Sequence, residues 1–113
     1  MITVNFDRGK NAYKTVYGLW QYDYGQNLRI QGLSLPPAVE IHFSLQQSGG
    51  EAVTRIGITK DGVTDVTIPD SMLENDGKSV DYYIYAFVYI SDEESGQTEY
   101  RISMSVKSRP KPE

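Results

Sequence analysis

The sequence predicts an all-β domain, an immunoglobulin-like antiparallel β-sandwich of seven to eight strands with one short helical turn. Three observations predict it. Hydrophobicity alternates with a period of two along most of the 113 residues, as half-buried strands require. Turn-forming Gly, Pro, Asn, Asp and Ser recur at close, regular intervals, the spacing of short strands joined in a sandwich. Only one segment carries helical signals, and it is too short to be stable on its own.

Element by element, Ile2, Val4 and Phe6 alternate with polar residues as a first strand, and residues 7–11 carry turn chemistry. Residues 19–24 place Trp20, Tyr22 and Tyr24 on one face, expected in the core, with Leu19, Gln21 and Asp23 on the other. A turn at 25–27 leads into 28–30, which predicts a hairpin. Pro36 and Pro37 end pairing in the connection that follows, because each fixes φ and removes a ladder donor. The clearest strand comes next, with Val39, Ile41, Phe43 and Leu45 inward and Glu40, His42 and Ser44 outward; Ser48, Gly49 and Gly50 turn it back. Residues 53–59 and 63–68 flank Lys60, Asp61 and Gly62, a strong hairpin signal.

The helical turn lies at 69–75, where Asp70 or Ser71 can cap and Gly77 can stop it. Residues 80–90 are apolar on both faces: Tyr82, Ile84, Ala86, Val88 and Ile90 on one, and Tyr83, Tyr85, Phe87 and Tyr89 on the other. Such a strand is either central or has one face toward a partner. An acidic turn at 91–96 leads to a last strand at 98–106, with Tyr100, Ile102, Met104 and Val106 on one face. The sandwich therefore spans 1–107, and 108–113, rich in proline, is a stiff extended linker.

Composition narrows the function. Apolar residues make up 39 % and aromatics 12 %, with nine Tyr against one Trp and three Phe. That suffices for one core, and the phenols, which need hydrogen-bond partners, suit half-wet faces. A net charge of −4 with scattered cations argues against nucleic acid as a partner. Cysteine is absent, which removes disulfides, thiolate metal sites and cysteine nucleophiles. The first ten residues hold no signal-like apolar run, and 82–90 is too short and too rich in Tyr to span a bilayer, so no membrane role is expected.

Few residues suggest chemistry. His42, with Glu40 and Ser44 about 7 Å away along one strand face, is expected to be a solvated face and not a triad, and no nucleophile elbow accompanies it. The acids cluster in turns, not as the paired carboxylates of a glycosidase. Asp92, Glu93 and Glu94 with Glu99 could in principle offer calcium its oxygens, but a charged turn guarding a sheet edge is the expectation. Neither a phosphate-cradling nor a dinucleotide glycine loop is present. No catalytic, cofactor or metal residue is therefore assigned. The contact face assigned is Tyr83, Tyr85, Phe87 and Tyr89, apt for anchoring a protein or stacking on sugar rings.

Several runs carry a resemblance: WQYDYGQ at 20–26, LRIQGL at 28–33, LP at 35–36, VEIHFS at 39–44, VTIPD at 66–70, IYAFVYI at 84–90, YRI at 100–102 and VKSRPKP at 106–112. Together they resemble the N-terminal domain of baseplate upper proteins and tail fibres of phages and prophages of Gram-positive bacteria. The resemblance implies a virion attachment domain assembled in the bacterial cytoplasm, with other tail or baseplate proteins as partners. It also implies a trimer formed with a segment downstream of the Arg-Pro-Lys-Pro stretch, and no enzyme activity. A carbohydrate-binding module for host glycans is the alternative that the aromatic content supports.

Overall fold

The computed structural model describes residues 1–6, 11–47, 51–92 and 96–112. Residues 7–10 of the expected turn at 7–11, the turn at 48–50, and the centre of the acidic turn at 93–95, with Glu93 and Glu94 of the calcium alternative, lie outside the described residues. Eight strands and one helix follow in order: β1 (Ile2–Asn5), β2 (Tyr13–Trp20), β3 (Asn27–Gln31), β4 (Ala38–Ser44), β5 (Ala52–Lys60), β6 (Val63–Thr67), α1 (Asp70–Glu74), β7 (Tyr82–Asp92) and β8 (Gly96–Lys107).

The all-β class with its single short helix is what the chain adopts. The immunoglobulin-like division into two sheets is not. All eight strands share one hydrogen-bonded sheet in the order β1-β3-β6-β5-β4-β7-β8-β2, curled until its two edge strands lie side by side. A single sheet rolled this far encloses its own core and needs no second layer.

The alternation in the sequence decides which residues fill that interior. Ile2, Val4, Phe6, Leu28, Ile30, Val39, Ile41, Phe43, Ile84, Ala86, Val88, Ile102, Met104 and Val106 are all buried in one cluster. The Phe6 ring meets Tyr100 edge-on at 5.3 Å. The β5–β6 hairpin turns at Asp61 and Gly62, both with positive φ (54° and 78°), the conformation of a type I′ turn. Gly57 lies on the inner side of β5, where a Cβ would stand 2.9 Å from Ile41 Cδ1 and 3.0 Å from Thr64 Cγ2. Its missing side chain leaves room for those neighbours.

Three expected features are corrected. Residues 19–24 do not form a hairpin with 28–30. β2 instead pairs in parallel with β8, while β3 lies between β1 and β6. The Trp20, Tyr22 and Tyr24 stripe is not core either: Trp20 is 44 % and Tyr24 46 % exposed, whereas Leu19 and Gln21 are buried. The cause is a bulge. Val16 pairs with Met104 and Leu19 with Val106, so β2 spends three residues where β8 spends two, and Gly18 takes up the kink with φ 120°. One extra residue reverses which alternate positions face inward. Leu45 is likewise 40 % exposed, because β4 ends at Ser44.

The helix α1 closes one end of the curled sheet with Met72 and Leu73. No side chain caps its N-terminus; Asp70 instead accepts from the Gly25 amide at 3.0 Å. Its C-terminus stops at Asn75 in the left-handed conformation, ahead of the expected Gly77. The carbonyls there, which a helix leaves without internal partners, are met from outside. The Tyr82 hydroxyl donates to Met72 O at 2.6 Å and is 3.2 Å from Leu73 O, which also accepts from the Tyr22 amide at 2.9 Å.

Burial, with a smaller contribution from Tyr22, pushes the Tyr82 phenol up from 10.0 to about 12. The folded state therefore holds this proton more tightly than the unfolded chain does. The stabilisation is complete below pH 10 and is lost as pH rises toward 12. Urea midpoints are expected to be level with respect to this group up to pH 9.5 and to fall above pH 10 (roughly the phenol range). Tyr82→Phe is expected to lower the plateau by about 1–2 kcal/mol and to make the alkaline fall shallower.

Candidate functional site

The outer face of β7 bears the four residues singled out as a contact face, and the structure separates their roles. Tyr83 and Tyr89 are 41 % and 39 % exposed, Tyr85 is half-buried, and Phe87 is 3 % exposed. Phe87 is absent from the interior cluster, so its burial is on the outside of the sheet. In register it stands between His42 on β4 and Arg101 on β8. Thr54 on β5 and Tyr13 on β2 extend that row, which crosses five strands.

The neighbours hold the row in place. The Arg101 guanidinium lies 4.5 Å from the centroid of the Tyr13 ring, a cation–π distance. The Gln47 amide, with its oxygen turned toward Arg101, accepts from Nη1 and Nη2 at 3.3 Å. Arg101 Nε is buried without a partner among the described residues. The His42 and Tyr89 rings meet edge-on at 5.7 Å, and Tyr83 and Tyr85 lie 6.0 Å apart with their planes 30° from parallel. Burial, then the Glu99 carboxylate opposite, pushes the Tyr89 phenol up. The result is a fixed strip of phenol rings with Phe87 as its floor.

His42, the sole histidine, sits on this solvated outer face. Its Nε2 is 3.8 Å from Glu40 Oε2 and its Nδ1 3.5 Å from Thr54 Oγ1. Ser44 is fully buried, and its Oγ accepts from the Gln46 amide at 3.0 Å; of the set expected to face solvent, Glu40 and His42 do and Ser44 does not. Among the described residues no group of three or more His, Asp or Glu side chains could hold a metal ion. No helix there is long and apolar enough to cross a membrane.

Gln21 carries connections that no sequence signal announces. It is 0 % exposed, and its amide nitrogen lies 2.9 Å from Glu74 O and 3.2 Å from Asn75 O. Its Oε1 accepts from the Arg109 amide at 3.2 Å and its backbone carbonyl from Arg109 Nε at 2.6 Å. One buried glutamine thus ties the end of β2 to α1 and to the segment after β8. Nothing in a Gln between Trp and Tyr signals this, because the partners lie 53 to 88 residues away.

No known family model matches the chain, and no curated protein matches it.

Urea unfolding separates floor from rim. Phe87→Ala is expected to cost about 3 kcal/mol or more, the value for a buried aromatic. Tyr83→Ala and Tyr89→Ala are expected to cost under about 1 kcal/mol each, as half-exposed positions do.

Proposed function

We propose that this chain is a non-catalytic attachment domain of a phage or prophage tail, docking onto another baseplate or tail-fibre protein through the outer face of β7. The observation that carries the reading is the strip of half-exposed Tyr83 and Tyr89 and half-buried Tyr85, set on the sheet beside the buried Phe87. Rigid, half-exposed aromatics lose little side-chain freedom on docking and supply large contact area. The motifs at 20–44, 66–70, 84–90 and 100–112 supply the tail context, through the resemblance they carry. The absence of enzyme activity is part of the proposal. It is supported by the solvated, open placement of His42 and by acids spread over separate turns. The same proposal places the domain in the virion, as a trimer where a downstream segment joins the copies.

The Tyr83–Tyr85 pair also suits the carbohydrate-binding alternative, since adjacent rings on an open face can stack on successive sugars. One experiment distinguishes the two. The domain is titrated against purified phage baseplate and tail-fibre proteins and, in parallel, screened on arrays of bacterial surface glycans. The proposal expects saturable binding to a tail protein that weakens at least 100-fold in Tyr83→Ala/Tyr89→Ala, with stability retained. Glycan binding lost in the same variant, without binding to any tail protein, would replace it with the carbohydrate reading.

A further inference from the structure

From the last residue of β8 onward, cations stand at every second position: Lys107, Arg109 and Lys111, separated by Ser108 and Pro110. Each cation meets a successive residue of 20–22. Lys107 Nζ lies 5.6 Å from the centroid of the Trp20 ring. Arg109 hydrogen-bonds Gln21 through both its amide and its Nε. Lys111 Nζ lies 6.0 Å from the Tyr22 ring, 3.5 Å from Asp76 Oδ2 and 3.9 Å from Glu74 Oε1. The Tyr22 hydroxyl donates to the other Asp76 oxygen at 3.0 Å, so Asp76 holds ring and cation together. The Ser108 amide donates to Asp81 Oδ1 at 2.9 Å. A groove of about 440 Å³ runs beside this contact, lined by Tyr22, Lys78, Ser79, Ser108, Arg109 and Lys111 among others.

From this geometry we propose that Trp20, Gln21 and Tyr22, with Glu74 and Asp76, form a docking groove for an extended segment with cations at alternate positions. Its occupant is residues 107–111 of the same chain. Proline suits the segment. An extended strand needs no helix-compatible φ, and Pro110 and Pro112 lower the entropy lost on docking. The two halves of the contact differ in kind. Arg109 and Ser108 are held by directed hydrogen bonds of 2.6–3.2 Å, one of them to a fully buried side chain, and these respond less to salt than an exposed ion pair. Lys111 is held at 3.5–3.9 Å by side chains 41–59 % exposed, and such pairs are screened as ionic strength rises. The groove is therefore a strap anchored at Arg109 with a salt-labile latch at Lys111. Release of the latch uncovers Tyr22 and frees the residues beyond Arg109 from the domain surface. This inference is independent of the β7 face and of the tail assignment.

The test is the steady-state ¹⁵N heteronuclear NOE of Ser108, Arg109 and Lys111 in the whole chain, at 20 mM and 500 mM salt. At low salt all three are expected to match β8. At high salt Lys111 alone falls to the values of a mobile chain, and Glu74→Gln/Asp76→Asn produces the same fall without added salt. Arg109→Ala is expected to mobilise 109–111 together and to shift amides around Gln21 and the end of α1, while leaving the amide spectrum of β3–β6 unchanged. Mobility of all three residues at low salt would overturn the strap. Insensitivity of Lys111 to both salt and charge removal would overturn the latch.

Discussion

The parallel ladder between β2 and β8 is the constraint on which the rest of this structure depends. β2 lies between the other edge of the sheet and its last strand, so its pairing with β8 brings the curled sheet around until β1 and β2 meet. Enclosure by one sheet leaves a single interior, which the alternating residues of seven other strands already suit. It also leaves a continuous outer surface, and there β7 pairs with β8 along its length and with β4 over Tyr85–Val88. A central strand with a half-exposed aromatic face is held rigid from both sides. That is why the phenol strip is a surface feature and not a mobile edge.

The bulge inside the same ladder determines what happens at the end of β2. Were β2 regular, positions 16, 18 and 20 would point inward together, and Trp20 would enter the core. The extra residue at 17–18 puts Leu19 and Gln21 inside instead. Burying Gln21 is tolerable only because its amide group finds partners, since an unpaired buried amide costs about 1–3 kcal/mol. Those partners are the carbonyls that end α1 and the backbone of Arg109. Helix end, strand end and chain exit are thus positioned by one side chain. The aromatic rings turned outward by the same inversion become the surface on which the strap lies.

Local pattern made much of this legible from sequence. The inward faces of β1, β4, β7 and β8, the turn at 60–62 and the short helix at 70–74 all follow from period and turn chemistry. So does the choice of Tyr83, Tyr85, Phe87 and Tyr89 as one face, although which ring is floor and which is rim depends on Gln47, Arg101 and His42 arriving from elsewhere. Strand order was not legible. Residues 19–24 and 28–30 look like hairpin partners because they are near in sequence, and alternation says nothing about whether a neighbour is parallel or antiparallel. A one-residue bulge is equally invisible, for Gly18 is as compatible with a turn as with a kink. Two sheets and one curled sheet share the same alternation, which is why the class was readable and the sandwich was not.

Interstrand NOEs between backbone protons test the parallel ladder most directly. The account predicts contacts linking Lys14 and Thr15 to Ile102 and Ser103, and Leu19 to Val106, on the two sides of the bulge. Antiparallel contacts between residues 19–24 and 28–30, with none between β2 and β8, would contradict it and return Trp20 to the core.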